Sequence, residues 1–158
     1  MTCVISHTLS AFLQSGVAIL IASSDRKNKP SISRGFGVKL TDKPNQLTVF
    51  VTEIQSNAIL RNIEQTGKVS LTAANVRNYE SYQIKGTDAK PCLAEPEEQE
   101  YVFNYIKQAQ LEMQSIGVGP IQTDAIFQSY NSQNLVGIRF KVSEIYCQTP
   151  GARAGKPL

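Results

Sequence analysis

Six short runs of β-type residues, mostly joined by turns, constrain this chain most strongly. They are Val17–Ser23, Ser31–Leu40, Leu47–Thr52, Lys68–Ala74, Ser81–Gly86 and Leu135–Tyr146. A parallel sheet needs a crossover, usually a helix, between successive strands, whereas antiparallel strands are joined by short turns. Only one helix sits between neighbouring core strands here. The pattern therefore predicts a mainly β, six-stranded antiparallel barrel with peripheral helices, of the α+β type.

The run Ser31–Leu40 alternates in character along its whole length. One phase carries Ile32 and Arg34, and the opposite phase carries Gly35 and Gly37. Glycine weakens a strand unless the strand must bend or something approaches its backbone closely. A coiling barrel strand and a ligand lying on the glycine face both explain the pattern. The almost continuous apolar run Val17–Ser23, in contrast, predicts a strand buried on both faces.

Helical periodicity marks three segments outside these runs. The first is Thr8–Gln14, and the longest is Glu95–Gln114, whose acidic start suits the positive end of a helix dipole. Between them, Ser56 is a good N-cap for a helix that ends at Gly67. Asp124 is predicted to cap a short turn. With 158 residues, we expect one domain over residues 1–148, followed by a Gly/Pro-rich tail, 149–158.

Composition excludes several function classes. Three cysteines without a CxxC pair and a single histidine, His7, argue against a thiolate or histidine metal centre and against a histidine-based nucleophile. A net charge of +3, from scattered basic residues, gives no nucleic-acid face. No apolar run approaches the roughly 20 residues needed to span a bilayer, and the N-terminus does not resemble a signal peptide. We therefore expect a cytoplasmic protein without membrane or nucleic-acid partners.

The ordered set AILIAS, RGFGVK, LTVFVT, LRNIEQTG, KVSL and QIKG resembles the FMN-binding split-barrel proteins, the superfamily of pyridoxamine 5'-phosphate oxidase. The resemblance runs from about Leu9 to Gly86, and the last strand and the tail are also similar to small members. It implies a homodimer with two FMN sites at the subunit interface. The positions that match cofactor-binding residues of the family are Arg34, Gly35, Lys39, Val51, Thr52, Ser56, Asn57 and Gln83.

Two positions depart from the family pattern. Asn57 and Ala58 stand where basic residues are expected at the phosphate. Each charge-assisted bond contributes about 1.5–3 kcal/mol, so FMN binding is expected to be weakened or lost. Other roles also stay open: an ion pair of Arg34 with Glu53 or Glu80, solvation of Lys39 by water alone, and a hydrogen bond of Gln83 to a neighbouring strand. Tyr79 and Tyr82 are candidates to stack on a flavin, but buried or interface packing is the favoured role for both.

The resemblance implies an FMN-dependent oxidoreductase in which the flavin exchanges hydride with a small-molecule substrate. A reduced nicotinamide is a candidate donor, and no catalytic side chain is assigned because the cofactor carries the reactivity. The alternatives are a non-catalytic dimer that binds a flavin or another ligand, and a member that has lost its cofactor. Haem is a further ligand for this fold, although His7 is the only histidine to ligate it.

Overall fold

Seven strands and four helices make up the computed structural model, which describes residues 4–158. The strands form one antiparallel sheet in the order β2-β1-β5-β6-β7-β4-β3. A short 3-10 turn, Ser132–Asn134, precedes the last strand. The elements are α1 (His7–Leu13), β1 (Ala18–Ser24), β2 (Pro30–Gly35), β3 (Val38–Leu40), β4 (Gln46–Thr52), α2 (Glu53–Thr66), β5 (Val69–Ala74), β6 (Ser81–Leu93), α3 (Pro96–Gln114), α4 (Pro120–Phe127) and β7 (Leu135–Cys147).

The sheet curls into a half-barrel because its two end strands, β2 and β3, are consecutive in the chain. Only Phe36 and Gly37 separate them. The Phe36 N–H donates to the Phe50 carbonyl at 2.8 Å, and the Phe50 N–H donates to the Gly37 carbonyl at 2.9 Å. Gly37 has φ +152°, a conformation that favours glycine. The predicted single strand Ser31–Leu40 is therefore two strands, which raises the count from six to seven while the fold class is confirmed.

The interior of the barrel is apolar, and Gly35 belongs to it. A Cβ on Gly35 would lie 2.5 Å from the Ile19 Cγ2 atom on β1. The absence of a side chain lets β2 approach β1, so close strand packing explains this glycine. Helix α2 contacts β1 and β2 and contributes Ile59 and Ile63 to the same core.

Helix α3 covers the outside of the barrel near β4 and β7. Its Val102 and Ile106 pack with Phe36, Phe50 and Leu135 in a second apolar cluster. Two tyrosines of α3 fasten it to the strands. The Tyr101 hydroxyl donates to the Val38 carbonyl at 2.7 Å, and the buried Tyr105 hydroxyl donates to the Val17 carbonyl at 2.9 Å.

Strand β1 is buried on one face only, contrary to the prediction from its apolar run. Its burial alternates, and Leu20 is 45% exposed on the outer face. On the neighbouring strand, Ile32 is 66% exposed. The run is continuously apolar because its outer positions carry Ala and Leu, and nothing in the described chain covers them.

Two boundaries also differ from the prediction. Strand β6 continues past its predicted end at Gly86, through Pro91 to Leu93, because it still pairs with β7 there, while its other edge no longer pairs with β5. A proline is tolerated where its missing N–H faces no partner strand. Helix α4 is a full element with Pro120 in its first turn, where only a short turn around Asp124 was predicted.

The last residues fold back on β7. The Cys147 N–H donates to the Lys156 carbonyl at 3.0 Å, and the Leu158 N–H donates to the Ile145 carbonyl at 2.9 Å. Within residues 4–158, no helix is long and apolar enough to cross a membrane. The same residues contain no cluster of three or more His, Cys, Asp or Glu side chains able to hold a metal.

Candidate functional site

Ser56 does not cap α2, contrary to the prediction. The helix begins at Glu53, directly after β4, with Thr52 in extended conformation as its N-cap. Ser56 lies one turn inside the helix, is fully buried, and its Oγ is 2.8 Å from Ser33 Oγ on β2. This contact uses the hydroxyl that the resemblance assigned to a phosphate. Asn57 is exposed, but it sits in the second turn, away from the free amides at the start of the helix.

Val51 and Thr52 are both buried at the end of β4. The Thr52 hydroxyl lies 3.4 Å from the Gln55 side-chain oxygen at the start of α2. Thr52 also lines a cavity of about 860 Å³ between the start of α2, the first turns of α3 and residues 128–134. Its walls are mostly carboxamides and hydroxyls, and no lysine or arginine lines it.

Arg34 and Gln83 occupy one row across the outer face of the sheet. The register pairs Arg34 with Leu20, Leu20 with Thr72, and Thr72 with Gln83. Residues directly opposite each other in an antiparallel ladder point to the same face. The four side chains therefore form one row across the outer face, called here the outer row, with a cation at one end and a carboxamide at the other.

The ends of the outer row carry polar groups without protein partners. Within residues 4–158, Arg34 makes no ion pair or hydrogen bond, so the expected pairing with Glu53 or Glu80 is absent. Its guanidinium carbon lies 5.8 Å from the centre of the Phe127 ring on α4. Gln83 is half-buried, and its amide makes no hydrogen bond within residues 4–158, so the alternative of a bond to a neighbouring strand is absent.

Lys39 lies apart from this row. It pairs with Glu98 at the start of α3, with an N–O distance of 3.8 Å. Its cavity, of about 370 Å³, also contains Thr48 and Arg139 but not Arg34. The structure thus separates two basic residues that the resemblance assigned to one cofactor.

The two candidate stacking tyrosines are not placed on the outer row. Tyr82 points inward with Ala73 and packs edge-on against Phe12, with ring centres 5.0 Å apart. Burial raises the pKa of Tyr82 to about 12, and the hydrogen bond to Glu80 is a smaller cause in the same direction. Tyr79 is 70% exposed in the turn before β6, with φ +60°. Packing is therefore the role that the contacts support for Tyr82.

Sequence reasoning missed Leu20 and Thr72, which form the middle of the outer row. Alternation along β1 and β5 places both on one phase, but it does not tell which residues face each other across strands. The pairing of residues across these strands also decides which candidate residues can contact one FMN molecule. Arg34 and Gln83 suit a phosphate and a polar ring edge, whereas Ser56 does not reach a ligand and Asn57 lacks charge.

Sequence comparison gives no match, either to a protein family or to a curated protein. Comparison of structures does. A putative pyridoxamine 5'-phosphate oxidase from Lactobacillus delbrueckii is 14% identical, with a TM-score of 0.55, over 90% of this chain and 93% of that one. An FMN-binding protein from Syntrophomonas wolfei is 11% identical, with a TM-score of 0.50, and the alignment covers 87% of this chain and 82% of that one.

A further similar structure is HutZ, the heme storage protein from Vibrio cholerae. It is 15% identical, with a TM-score of 0.50, and the alignment covers 92% of this chain and 95% of that one. At these identities the likeness establishes the fold. The chain has the split-barrel fold of the pyridoxamine 5'-phosphate oxidase-like proteins, a fold that includes FMN-binding and heme-storing members.

Proposed function

We propose that this chain is a homodimeric FMN-binding oxidoreductase whose flavin lies along the outer row. The observation that carries the proposal is the placement of two solvent-accessible polar groups at its two ends, the Arg34 guanidinium and the Gln83 amide, neither of which has a hydrogen-bond partner in the described chain. They lie three strand spacings apart, about 14 Å at roughly 4.8 Å per strand. An extended FMN can span that distance from its phosphate to its polar ring edge.

The residues of the row have separate roles in this proposal. Arg34 holds the phosphate through a guanidinium fork, which is well suited to a dianion. Gln83 donates to and accepts from the polar edge of the ring, and Leu20 and Thr72 provide the floor beneath it. When bound, the flavin supplies the hydride chemistry, exchanging hydride with a small molecule such as a reduced nicotinamide.

The dimer follows from the same face of the sheet. Leu20 on β1 and Ile32 on β2 are 45% and 66% exposed and are diagonal neighbours on this face. A second copy would bury these side chains, and a stable homodimer should bury at least about 1,200 Å² in total. It would also exclude water from the flavin. The alternative is a dimer that binds flavin without turning over, which differs only in its response to a donor.

The first experiment is the visible spectrum of the purified protein, followed by titration with FMN and riboflavin. We expect flavin absorption that bleaches on addition of reduced nicotinamide and returns with an acceptor. A flavin spectrum that does not bleach supports the non-catalytic alternative. A Soret band, or no cofactor and no FMN affinity, contradicts the proposal.

The Arg34→Ala variant tests the placement of the flavin. Loss of one charge-assisted phosphate fork should weaken FMN binding about 10- to 100-fold, with riboflavin affected much less. Arg26→Ala, in the exposed turn between β1 and β2, is the matched control and should bind FMN normally. Equal effects of Arg34→Ala on both ligands would place the phosphate elsewhere.

Sedimentation velocity tests the dimer. The wild type should sediment as a dimer at micromolar concentration, and Leu20→Glu should dissociate it. Leu111→Glu is the control, since Leu111 is 58% exposed on α3. A wild-type monomer that still holds FMN would show that the site needs no second copy.

A further inference from the structure

Two cations face each other on adjacent strands, away from the outer row. The register pairs Lys90 on β6 directly with Arg139 on β7. Like charges directly opposite each other in a ladder are destabilising. Both side chains are exposed, and neither takes part in an ion pair within residues 4–158. An anion bound between the two side chains would relieve this repulsion.

The surface around the two cations is concave. One cavity of about 570 Å³ contains both cations, with Pro91 and Cys92 in its wall. A second, of about 370 Å³, adjoins it and shares Gln46 and Arg139. Arg139 therefore stands between two connected hollows, called here the Arg139 groove.

Carboxylates do not neutralise the groove. Asp88 pairs with Lys141 at 2.8 Å, and Glu98 pairs with Lys39 at 3.8 Å. Among the lining residues, five are basic (Lys39, Lys43, Lys90, Arg139 and Lys141) and three are acidic (Asp42, Asp88 and Glu98). The net charge of the lining is therefore 5 − 3 = +2.

Arg139 is held in a suitable position for an anion. Its Nε atom lies 3.5 Å from the hydroxyl of Thr48, which is buried at the floor of the groove. That contact leaves the two terminal nitrogens of the guanidinium without a protein partner in the described chain. A guanidinium fork with a neighbouring ammonium is the arrangement that suits the oxygens of a phosphoryl group.

We propose that the Arg139 groove binds the phosphoryl group of a small molecule, with Arg139 and Lys90 as its ligands. The site is separate from the outer row, because Arg34 lines neither hollow. The proposal does not depend on the bound flavin. The groove serves a second, anionic ligand, whether a substrate or an effector.

The test uses pyrophosphate and inorganic phosphate as probes in calorimetric titrations of the intact protein at low ionic strength. Pyrophosphate should bind the wild type, and Arg139→Gln and Lys90→Gln should each weaken binding by about tenfold or more. Lys27→Gln is the matched control, because Lys27 lies in an exposed turn and carries the same charge. Because Arg34 is also proposed to bind a phosphate, Arg34→Ala serves as the background: pyrophosphate should still bind this variant, and adding Arg139→Gln should weaken that remaining binding, which separates the groove from the flavin site.

A second measurement, the melting temperature, tests the repulsion between Lys90 and Arg139. Without a ligand, Lys90→Gln should melt higher than the wild type, and pyrophosphate should then stabilise it less. Absence of wild-type binding, equal binding by all variants, or a lower melting temperature for Lys90→Gln without ligand would each overturn the proposal. A lower melting temperature for Lys90→Gln would mean that Asp88 already compensates the charge of Lys90.

Discussion

The buried contact between Ser33 and Ser56 offers the sharpest test of how this site is built. The two hydroxyls lie 2.8 Å apart, and the residues are 8% and 0% exposed. In Ser56→Ala the Ser33 hydroxyl stays buried without this partner, which costs about 1–3 kcal/mol. Alanine is the better helix former by about 0.5 kcal/mol. The net expectation is a loss of about 0.5–2.5 kcal/mol in the free energy of unfolding.

The double variant Ser33→Ala/Ser56→Ala should be less destabilised than the sum of the single variants. Removing both hydroxyls leaves no orphaned group, so the two changes should couple by about 0.5 kcal/mol or more. Urea unfolding of the four proteins measures the coupling. Ser70→Ala, on the outer side of β5, serves as a strand control with a small effect.

FMN titration of the same proteins completes the test. Because Ser56 points into the barrel, its replacement should leave FMN affinity unchanged once the protein is folded. Two results would refute this reasoning: single effects that add within about 0.3 kcal/mol, or a Ser56→Ala protein that is stable but binds FMN weakly. The second would restore the phosphate role that the resemblance assigned to Ser56.

Three further predictions follow from contacts elsewhere in the chain. Tyr105→Phe removes a buried hydroxyl that donates to the Val17 carbonyl and lies 3.2 Å from the Leu13 carbonyl, so urea unfolding should show a loss of about 1–3 kcal/mol. Gly86→Ala places a Cβ 2.1 Å from the ring of Phe140, and should cost at least about 1–3 kcal/mol by urea unfolding unless Phe140→Leu makes room. The hydrogen bond from Tyr146 holds the pKa of Glu144 below its ordinary value of 4.5, so the stability it gives is present above that pH. It is lost as the pH falls through the lowered pKa, and Glu144→Gln should flatten the acid limb of a urea-midpoint profile.

The strands could be predicted because alternation and β-branched residues mark a strand whichever neighbours it pairs with. The split between β2 and β3 could not, since Phe36 and Gly37 continue the pattern while the strand changes neighbours. The start of α2 was misplaced for a related reason. Ser56 has the right side chain for a cap, but the chain turns into a helix directly after β4, so Thr52 takes that position.

The candidate site was only partly accessible from the sequence. Arg34 and Gln83 follow from the resemblance, yet their common row depends on three registers: Arg34 with Leu20, Leu20 with Thr72, and Thr72 with Gln83. Nothing local in the sequence encodes such pairings between strands about 50 residues apart. The pairing of Lys90 with Arg139 was missed for a similar reason, because the predicted strand ended at Gly86, before Lys90.

The position of β4 in the sheet has a consequence for synthesis of the chain. One edge of β4 pairs with β3, its next neighbour, but the other edge pairs with β7, which ends at Cys147. At about 5–20 residues per second, roughly 5–20 s pass between translation of Thr52 and translation of Cys147. During that interval the strand that is most completely buried in the finished barrel has an open edge, which is a template for intermolecular pairing. A nascent chain of this protein therefore depends on its final strand for protection, and C-terminal truncation should send it into aggregates before it lowers any measured affinity.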